Sequence, residues 1–451
     1  MPGRDCEYDH RAETADRSGR YFRTHRSAWR YALKILIYSA NFAPEPTGIG
    51  KYSGEMAEWL AAHGHSVRVV CSIPYYPQWK LDPAYADCAF QREDWRGVSV
   101  WRAPIWVPSS PTGFRRILHL LSFAIASLPL MVRQIFWRPD VVVTVAPAFV
   151  CAPMGWLAAR LAGARAWLHI QDFEVDLAFN MGLLSSRVVR GAVLRMERFM
   201  LRRFDQVSTI SGRMVHLLRR KGVEAGRTRY FPNWVDVSRI TPHSNSDAYR
   251  RELGIPDESV VVLFSGSMGG KQGLLAIPAV AKLLAARKDI MFVVSGDGVM
   301  KPAVQAAAAG LSNVRFLPLQ PVERLSELLC LADIHLLPQS ADATDLVLPS
   351  KLSGMLSSGR PVVSISATGT ELHTVVSRCG LVVPPEDIPA LAEALARLAD
   401  DRVMRRDLGR RARAYAENHF EIDLVLARLF GSDDLGRMGA ATDNLATSAA
   451  P

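Results

Sequence analysis

Cysteine is scarce in this chain and forms no pattern. Six cysteines in 451 residues, at positions 6, 71, 88, 151, 330 and 379, make no C-x-x-C pair and no cluster with histidine. That excludes a disulfide framework and a cysteine-based zinc site, and it fits a reducing compartment. Long lipid-like runs are scarce too. The longest, "ILHLLSFAIASLPLMV" (117–132), contains His119 and Pro129 and is short of the roughly 20 residues that cross a bilayer. A second, "VVVTVAPAFVCAPMGWLAA" (141–159), is broken by Pro147 and Pro153 and reads as a buried strand, a turn and a helix. No transmembrane helix is expected. Residues 1–32 are polar and arginine-rich with no apolar core, so no secretory signal is expected in them, and they read as a disordered basic tail. Residues 431–451 read as a second tail. Short repeats are absent, as are the G-x-G-x-x-G and G-x-x-x-x-G-K-S/T phosphate loops.

What the chain does have is apolar residue, at 49%, and length enough for two or three domains. Its net charge of +10 is uneven. Residues 1–229 carry 32 Lys and Arg against 19 acids, a net +13, whereas residues 230–451 carry 22 against 25. A basic half implies a polyanionic partner: nucleic acid, anionic lipid or a phosphorylated substrate. Ten short, β-branched apolar runs alternate with helical patterns, from "KILIYS" and "SVRVVCS" to "IHLLP" and "PVVSIS". Continuous apolar runs suit parallel strands buried on both faces, joined by right-handed crossovers. The order predicts two doubly wound α/β sheets, with ligands beyond the carboxyl ends of the strands.

The loops after those strands carry the candidates. In "SANFAPEPTGIGKYSGEM" (39–56) a strand leads to Gly48, Gly50 and Lys51, ahead of a helical pattern at 54–65. Unpaired N–H groups and the helix dipole make such a start attractive to an anion, and glycine permits close approach. An ordinary strand-to-helix turn has the same spacing. In "LFSGSMGGKQGLLAIPAVAKLL" (263–284) the pattern returns with Gly266, Ser267, Lys271 and Gly273; a lysine there reaches phosphates as a point charge. "PNWVD" (232–236), "GDG" (296–298), "FLP" (316–318) and "PVERL" (321–325) follow.

This order of motifs resembles glycosyltransferase family 4, retaining enzymes of the GT-B fold, over residues 33–430. "PNWVD" stands for the family's "PNGVD"-like hinge and "GSMGGKQG" for its "G-x-x-x-x-K-G" loop. "PYYPQW" and "HIQDFEVD" are similar to the colanic-acid and exopolysaccharide branch. The resemblance implies two Rossmann-like domains facing a central cleft: an acceptor domain at 33–232, a nucleotide-sugar domain at 233–415, and a helix at 416–430 packing back toward the first. The family's E-x7-E pair departs here. Aligned on "SGRPVV", its glutamates fall near Leu346 and on Gly354, and Pro349, Ser350 and Lys351 match a "PSK" variant. The resemblance then places Gly48, Gly50, Gly266, Ser267, Lys271, Ser350, Lys351 and Glu371 at the donor, Lys271 and Asp172 at the chemistry, and Lys51, Gln171 and His169 on the acceptor side. Gln171 and Asp172 stand where many relatives have His-Asp.

A nucleotide-diphosphate sugar is the expected donor and a lipid-linked saccharide the expected acceptor. No cofactor and no metal are expected, because basic groups and helix ends do the same electrostatic work; Asp172, Glu174 and Asp176 nevertheless leave an acidic metal cluster open. Residues 187–229 carry 12 Lys and Arg against three acids. With the 117–132 run they suggest an anionic membrane surface rather than nucleic acid, hence a peripheral enzyme at the cytoplasmic face. A solvated helix face fits the charges as well. The remaining alternatives are an epimerase of the same architecture and a nucleic-acid-binding protein.

Overall fold

The computed structural model describes residues 32–85, 89–109, 113–146, 149–173, 187–340 and 348–430. The N-terminal tail, Glu174, Asp176, Leu346 and the C-terminal tail therefore lie outside the described residues. The chain divides into two compact units: residues up to Phe231 together with those from Leu426, and Pro232–Val425.

The first unit is built on an eight-stranded sheet. Its strands are β1 (Lys34–Ser39), β2 (Ser66–Ser72), β3 (Gln91–Trp95), β4 (Val98–Ala103), β5 (Val141–Ala146), β6 (Arg165–Ile170), β7 (Gln206–Thr209) and β8 (Thr228–Tyr230), in the order β3-β4-β2-β1-β5-β6-β7-β8. All neighbours are parallel except β3 with β4. Order reverses between β1 and β5, the switch point where such sheets bind ligands. The helices are α1 (Gly48–Ala62), α2 (Gly113–Ala126), α3 (Leu128–Trp137), α4 (Ala152–Ala162), α5 (Arg187–Leu201) and α6 (Gly212–Arg220). The central strands are buried along nearly their whole length, the pattern that the apolar runs predict.

The second unit has six parallel strands, β9 (Val260–Ser265), β10 (Ile290–Ser295), β11 (Val314–Leu317), β12 (Ile334–Leu337), β13 (Val362–Ile365) and β14 (Gly380–Val383), in the order β11-β10-β9-β12-β13-β14. Its switch point lies between β9 and β12. Phe264, Phe292, Val280 and Leu395 are among the side chains filling one face of this sheet.

Two local readings change. Strands β3, β4, β8 and β14 were absent from the ten apolar runs. β3, "QREDW", is polar and its residues stay partly or fully exposed; it pairs through a two-residue turn at Arg96 and Gly97, both with positive φ. Helix α1 starts at Gly48, six residues ahead of the pattern at 54. A Cβ at Gly50 would lie 2.6 Å from Glu45 Cβ, and one at Gly54 2.7 Å from Ala43 Cβ. These glycines let the 42–45 loop lie against α1, so helix continues through residues that read as loop. On α5 the buried face holds Glu197 and Met200, and Met196 is exposed. Glu197 is buried because Lys221 Nζ pairs with it at 2.5 Å.

Candidate active site

In the second unit two glycine loops close on each other at the carboxyl edge. Met268 N–H donates to Asp297 O at 2.8 Å, Met300 N–H to Met268 O at 3.0 Å, and Gly266 N–H to Ser295 O at 2.9 Å. Gly296, at φ +149, faces the Gly266 carbonyl so closely that a Cβ would overlap it. Glycine is required there by contact as well as by conformation. The "GDG" turn thus serves as a brace for the Gly266–Met268 loop. Ser267 is exposed on that loop, and Lys271 is carried on a 3-10 turn, Gly270–Gln272, with its side chain outside the described residues. Gly273, at φ +58, packs against the Gln339 backbone of the loop after β12. The β9 and β12 loops therefore meet at the switch point.

Lys351 begins the helix Lys351–Ser357, which Ser350 precedes as an exposed cap residue. Its ammonium is buried and has no hydrogen-bond partner among the described residues. It lies over the Phe264 ring at 4.4 Å and beside Gly266, 3.4 Å from where a Cβ would stand. Burial lowers its pKa to about 8. Glu371 opens the helix Glu371–Val376 after β13, whose cap Thr370 accepts from His373 N–H at 3.0 Å. Gly266, Ser267, Lys351 and Glu371 all follow the carboxyl ends of strands in this sheet, and Lys351 reaches the Gly266 loop. Ser350 adds no side-chain cap bond.

In the first unit β6 delivers Asp172. A buried chain of polar contacts leads up to it. Trp167 Nε1–H donates to Ser208 Oγ at 2.7 Å, Ser208 Oγ lies 2.9 Å from His169 Nδ1, and His169 Nε2 lies 3.2 Å from Gln171 Nε2. Period-2 alternation had put His169 and Gln171 on one side of the strand, and they touch. Burial pulls the His169 pKa down to about 3, so the imidazole is neutral. Both side chains are buried and Asp172 is exposed. His169 therefore orients Gln171 rather than meeting a ligand itself.

Gly48, at φ +61, starts α1, and the space beside Gly50 is taken by the Glu45 side chain. Lys51 lies 3.7 Å from Glu55 and over the Tyr52 ring at 4.9 Å. Sequence reading overlooked Glu45. Its carboxyl is 4% exposed, accepts from Tyr75 N–H at 3.2 Å, Tyr76 N–H at 3.1 Å and Asn41 Nδ2 at 2.9 Å, and burial raises its pKa. Arg102, fully buried, adds hydrogen bonds to Ala43 O at 2.6 Å and Ser72 O at 3.1 Å and pairs with Glu93. An acid in a proline-rich loop and an arginine in a strand carry no local signal of this. Among the described residues no group of three or more His, Cys, Asp or Glu side chains could hold a metal ion.

Two Rossmann-like units, each with glycine loops at the carboxyl edge of a mostly parallel sheet, fit the GT-B fold. Residues 47–234 match the glycosyl transferase 4-like domain, and residues 259–401 match the glycosyl transferases group 1 domain. The chain belongs to this glycosyltransferase family and is an enzyme of it. A putative colanic acid biosynthesis glycosyl transferase, WcaI of Escherichia coli (strain K12), is 40% identical over 374 residues, covering 80% of this chain and 91% of that protein. Among solved structures, sucrose-phosphate synthase from Thermosynechococcus elongatus superposes with a TM-score of 0.65 at 19% identity, covering 88% of this chain and 97% of that one. HepE of Anabaena, in complex with UDP and glucose, gives 0.61 at 15% identity, covering 88% and 98%. The family membership selects glycosyl transfer over the epimerase and nucleic-acid alternatives.

Proposed function

We propose that the second unit binds the diphosphate of a nucleotide sugar, and that the enzyme transfers the sugar, with retention, to a lipid-linked saccharide in exopolysaccharide assembly. The observation that supports the diphosphate site is the buried Lys351 ammonium beside Gly266, with no hydrogen-bond partner among the described residues. A buried, unpartnered cation is costly in a folded protein and calls for an anion. A diphosphate at the Gly266–Gly273 loop is that anion. As the bond from sugar to diphosphate breaks, negative charge develops on the leaving group, and Lys351, Lys271, Ser267 and the loop amides stabilise it without a metal ion or a resident cofactor. Asp172 orients the acceptor hydroxyl or balances positive charge on the reacting sugar. The family resemblance supports retention, with attack from the leaving-group face. The kinship with WcaI supports the polysaccharide pathway.

The test is a panel of UDP- and GDP-sugars, read by thermal stabilisation, since a ligand at about a hundred times its Kd adds about 2.7 kcal/mol. One donor class stabilises the wild type, Lys351→Ala and Lys271→Ala lose that shift, and turnover persists in excess EDTA. No stabilisation by any nucleotide sugar, or normal turnover in Lys351→Ala, overturns the reading.

We infer a peripheral position at the cytoplasmic face, and a second observation supports contact with an anionic membrane. No single described helix is long and apolar enough to cross a bilayer, and α2 and α3 meet that measure only together, bent by 44°. Their outer side exposes Phe114, Leu121, Ile125, Val132 and Phe136, the last at 81%, beside exposed Arg115, Arg116 and Arg133. An apolar stripe with arginines at its edges suits the headgroup boundary. Co-sedimentation with anionic vesicles at low salt, lost with neutral lipid or in Phe114→Ser with Phe136→Ser, is the expected result; a protein that stays in the supernatant rules it out.

A further inference from the structure

The loops after β2 and β4 bring a set of aromatic side chains to the carboxyl edge of the first sheet, and the transfer chemistry above leaves them unused. His119 of α2, 1% exposed, is at the centre. Its Nδ1–H donates to Trp106 O at 2.6 Å, its ring meets Tyr75 edge-on at 4.6 Å, and it lies 5.2 Å from the Trp79 ring. Tyr75 and Trp79 meet edge to face at 5.6 Å. Around buried His119 and Tyr75 the outer rings are open: Tyr76 is 38% exposed, Trp106 47%, and Trp79 is half-buried. The Tyr76 ring borders the start of α1, 3.8 Å from where a Gly48 Cβ would be.

Exposed tryptophan on a free loop would lose its orientation to entropy, but the backbone that carries these rings is tied down. Tyr76 N–H is held by Glu45, Trp106 N–H donates to Ser122 Oγ at 2.9 Å, and Trp106 O is held by His119. Trp79 sits at φ +52, a costly conformation for a bulky residue. His119 Nε2 is buried with no hydrogen-bond partner among the described residues. Rigid aromatic faces, with a few polar groups set among them, are the lining of a small-molecule site rather than of a solvated loop. Pro77 and Gln78 between Tyr76 and Trp79 are uncharged.

We propose that Tyr76, Trp79 and Trp106 form a stacking platform for a pyranose ring of the acceptor, outside the transfer site. The apolar C–H face of a pyranose lies flat on an aromatic ring while its hydroxyls stay at the polar rim. This rests on glycosyl transfer with Asp172 on the acceptor side. In the strand order β4-β2-β1-β5-β6, β2 and β4 stand three and four strands from β6, which carries Asp172; at the usual spacing that is roughly 14 to 19 Å. One sugar cannot bridge that distance. The ring on the platform is therefore an inner sugar of an oligosaccharide whose terminal ring is being extended, and acceptors of several sugars are preferred to monosaccharides.

The experiment is saturation-transfer NMR on the full chain, with methyl glycosides of glucose, galactose, mannose, fucose and N-acetylglucosamine and with tri- and tetrasaccharides of the same sugars. The wild type shows contact, stronger for the longer saccharides. Trp106→Ala and Tyr76→Ala weaken binding by about tenfold, on the scale of one lost aromatic contact, and Trp106→Phe restores most of it; thermal midpoints confirm that the variants fold. No saccharide contact in the wild type, or contact unchanged in both alanine variants, overturns the platform. Nucleotide-sugar stabilisation of the wild type separates the two failures: if it persists while saccharide binding ignores the rings, only the platform falls; if it is missing, the donor reading falls.

Discussion

Lys351→Met should make the protein more stable and a worse enzyme. The unfolded lysine titrates near 10.5, and burial lowers the folded value to about 8. Below pH 8 both states are protonated, and the fold bears the cost of a buried ammonium that has no hydrogen-bond partner among the described residues. Each tenfold change in an ionisation constant is worth about 1.4 kcal/mol, so a fall from 10.5 to about 8 costs about 3 kcal/mol. Between pH 8 and 10.5 the unfolded chain holds more protons than the fold, so stability rises with pH across that window; above it the cost is gone. Methionine keeps the length of the side chain without the charge. At pH 7 it should raise the midpoint of the second unit by roughly 6 to 12 °C for a unit of this size, and the gain should disappear above pH 10.5. Donor binding moves the opposite way. A diphosphate beside the ammonium returns its pKa toward the ordinary value, so binding at pH 8.5 takes up about three quarters of a proton, and affinity falls up to about tenfold for each pH step of one above 8. Calorimetry of an intact nucleotide sugar in two buffers of different ionisation enthalpy measures that uptake. Lys351→Met abolishes it and weakens binding at pH 7 by about ten- to a hundredfold, the range for hydrogen bonds to charged groups. A less stable Lys351→Met at pH 7, or a wild type that binds at pH 8.5 without proton uptake, would refute the reasoning.

Four further outcomes follow from other contacts. Glu45→Ala removes the carboxylate that accepts from the Tyr75 and Tyr76 N–H groups and should cost about 1–3 kcal/mol for each in urea unfolding; Glu45→Gln keeps an oxygen there and should stay within about 1 kcal/mol of wild type, and equal losses would refute the role. Gly296→Ala, which forces a Cβ onto the Gly266 carbonyl, should abolish nucleotide-sugar binding or unfold the second unit, whereas Gly310→Ala, with no atom near its Cβ but a positive φ, should lower stability and keep binding. His169 and His335 are both pulled down to about 3 by burial, so the unfolded chain holds more protons between pH 6.5 and 3 and stability falls on acidification by up to about 1.4 kcal/mol per pH unit from each; His335→Asn should remove one such slope in denaturant titrations at pH 6.5 and 4.5. Asp172→Asn should abolish transfer with donor affinity kept, and a donor affinity that collapsed with activity would move Asp172 out of the acceptor role.

The sequence by itself determined the architecture. Continuous apolar runs such as "VVVTVA" have no polar face to turn to water, so burial on both sides in a parallel sheet follows locally, and all ten runs are strands. The glycine loops were legible for a similar reason: φ +149 at Gly296 and φ +58 at Gly273 are conformations that few other residues adopt. Polar strand β3 was illegible because its partner β4, rather than its own composition, makes it a strand. The start of α1 was misplaced because glycine reads as a breaker until the Glu45 side chain is seen in the space it leaves. Lys351 could be named from the order of motifs, but its character could not. A lysine in a sequence is a solvated cation near pKa 10.5; only packing over Phe264 and against Gly266 strips its water and brings it to about 8. The same holds for Glu45 beneath Tyr75 and Tyr76, and for His169 beneath Gln171. Desolvation depends on what the rest of the chain brings to a side chain, which local pattern does not contain, so charge state and orientation at this site belong to the tertiary structure.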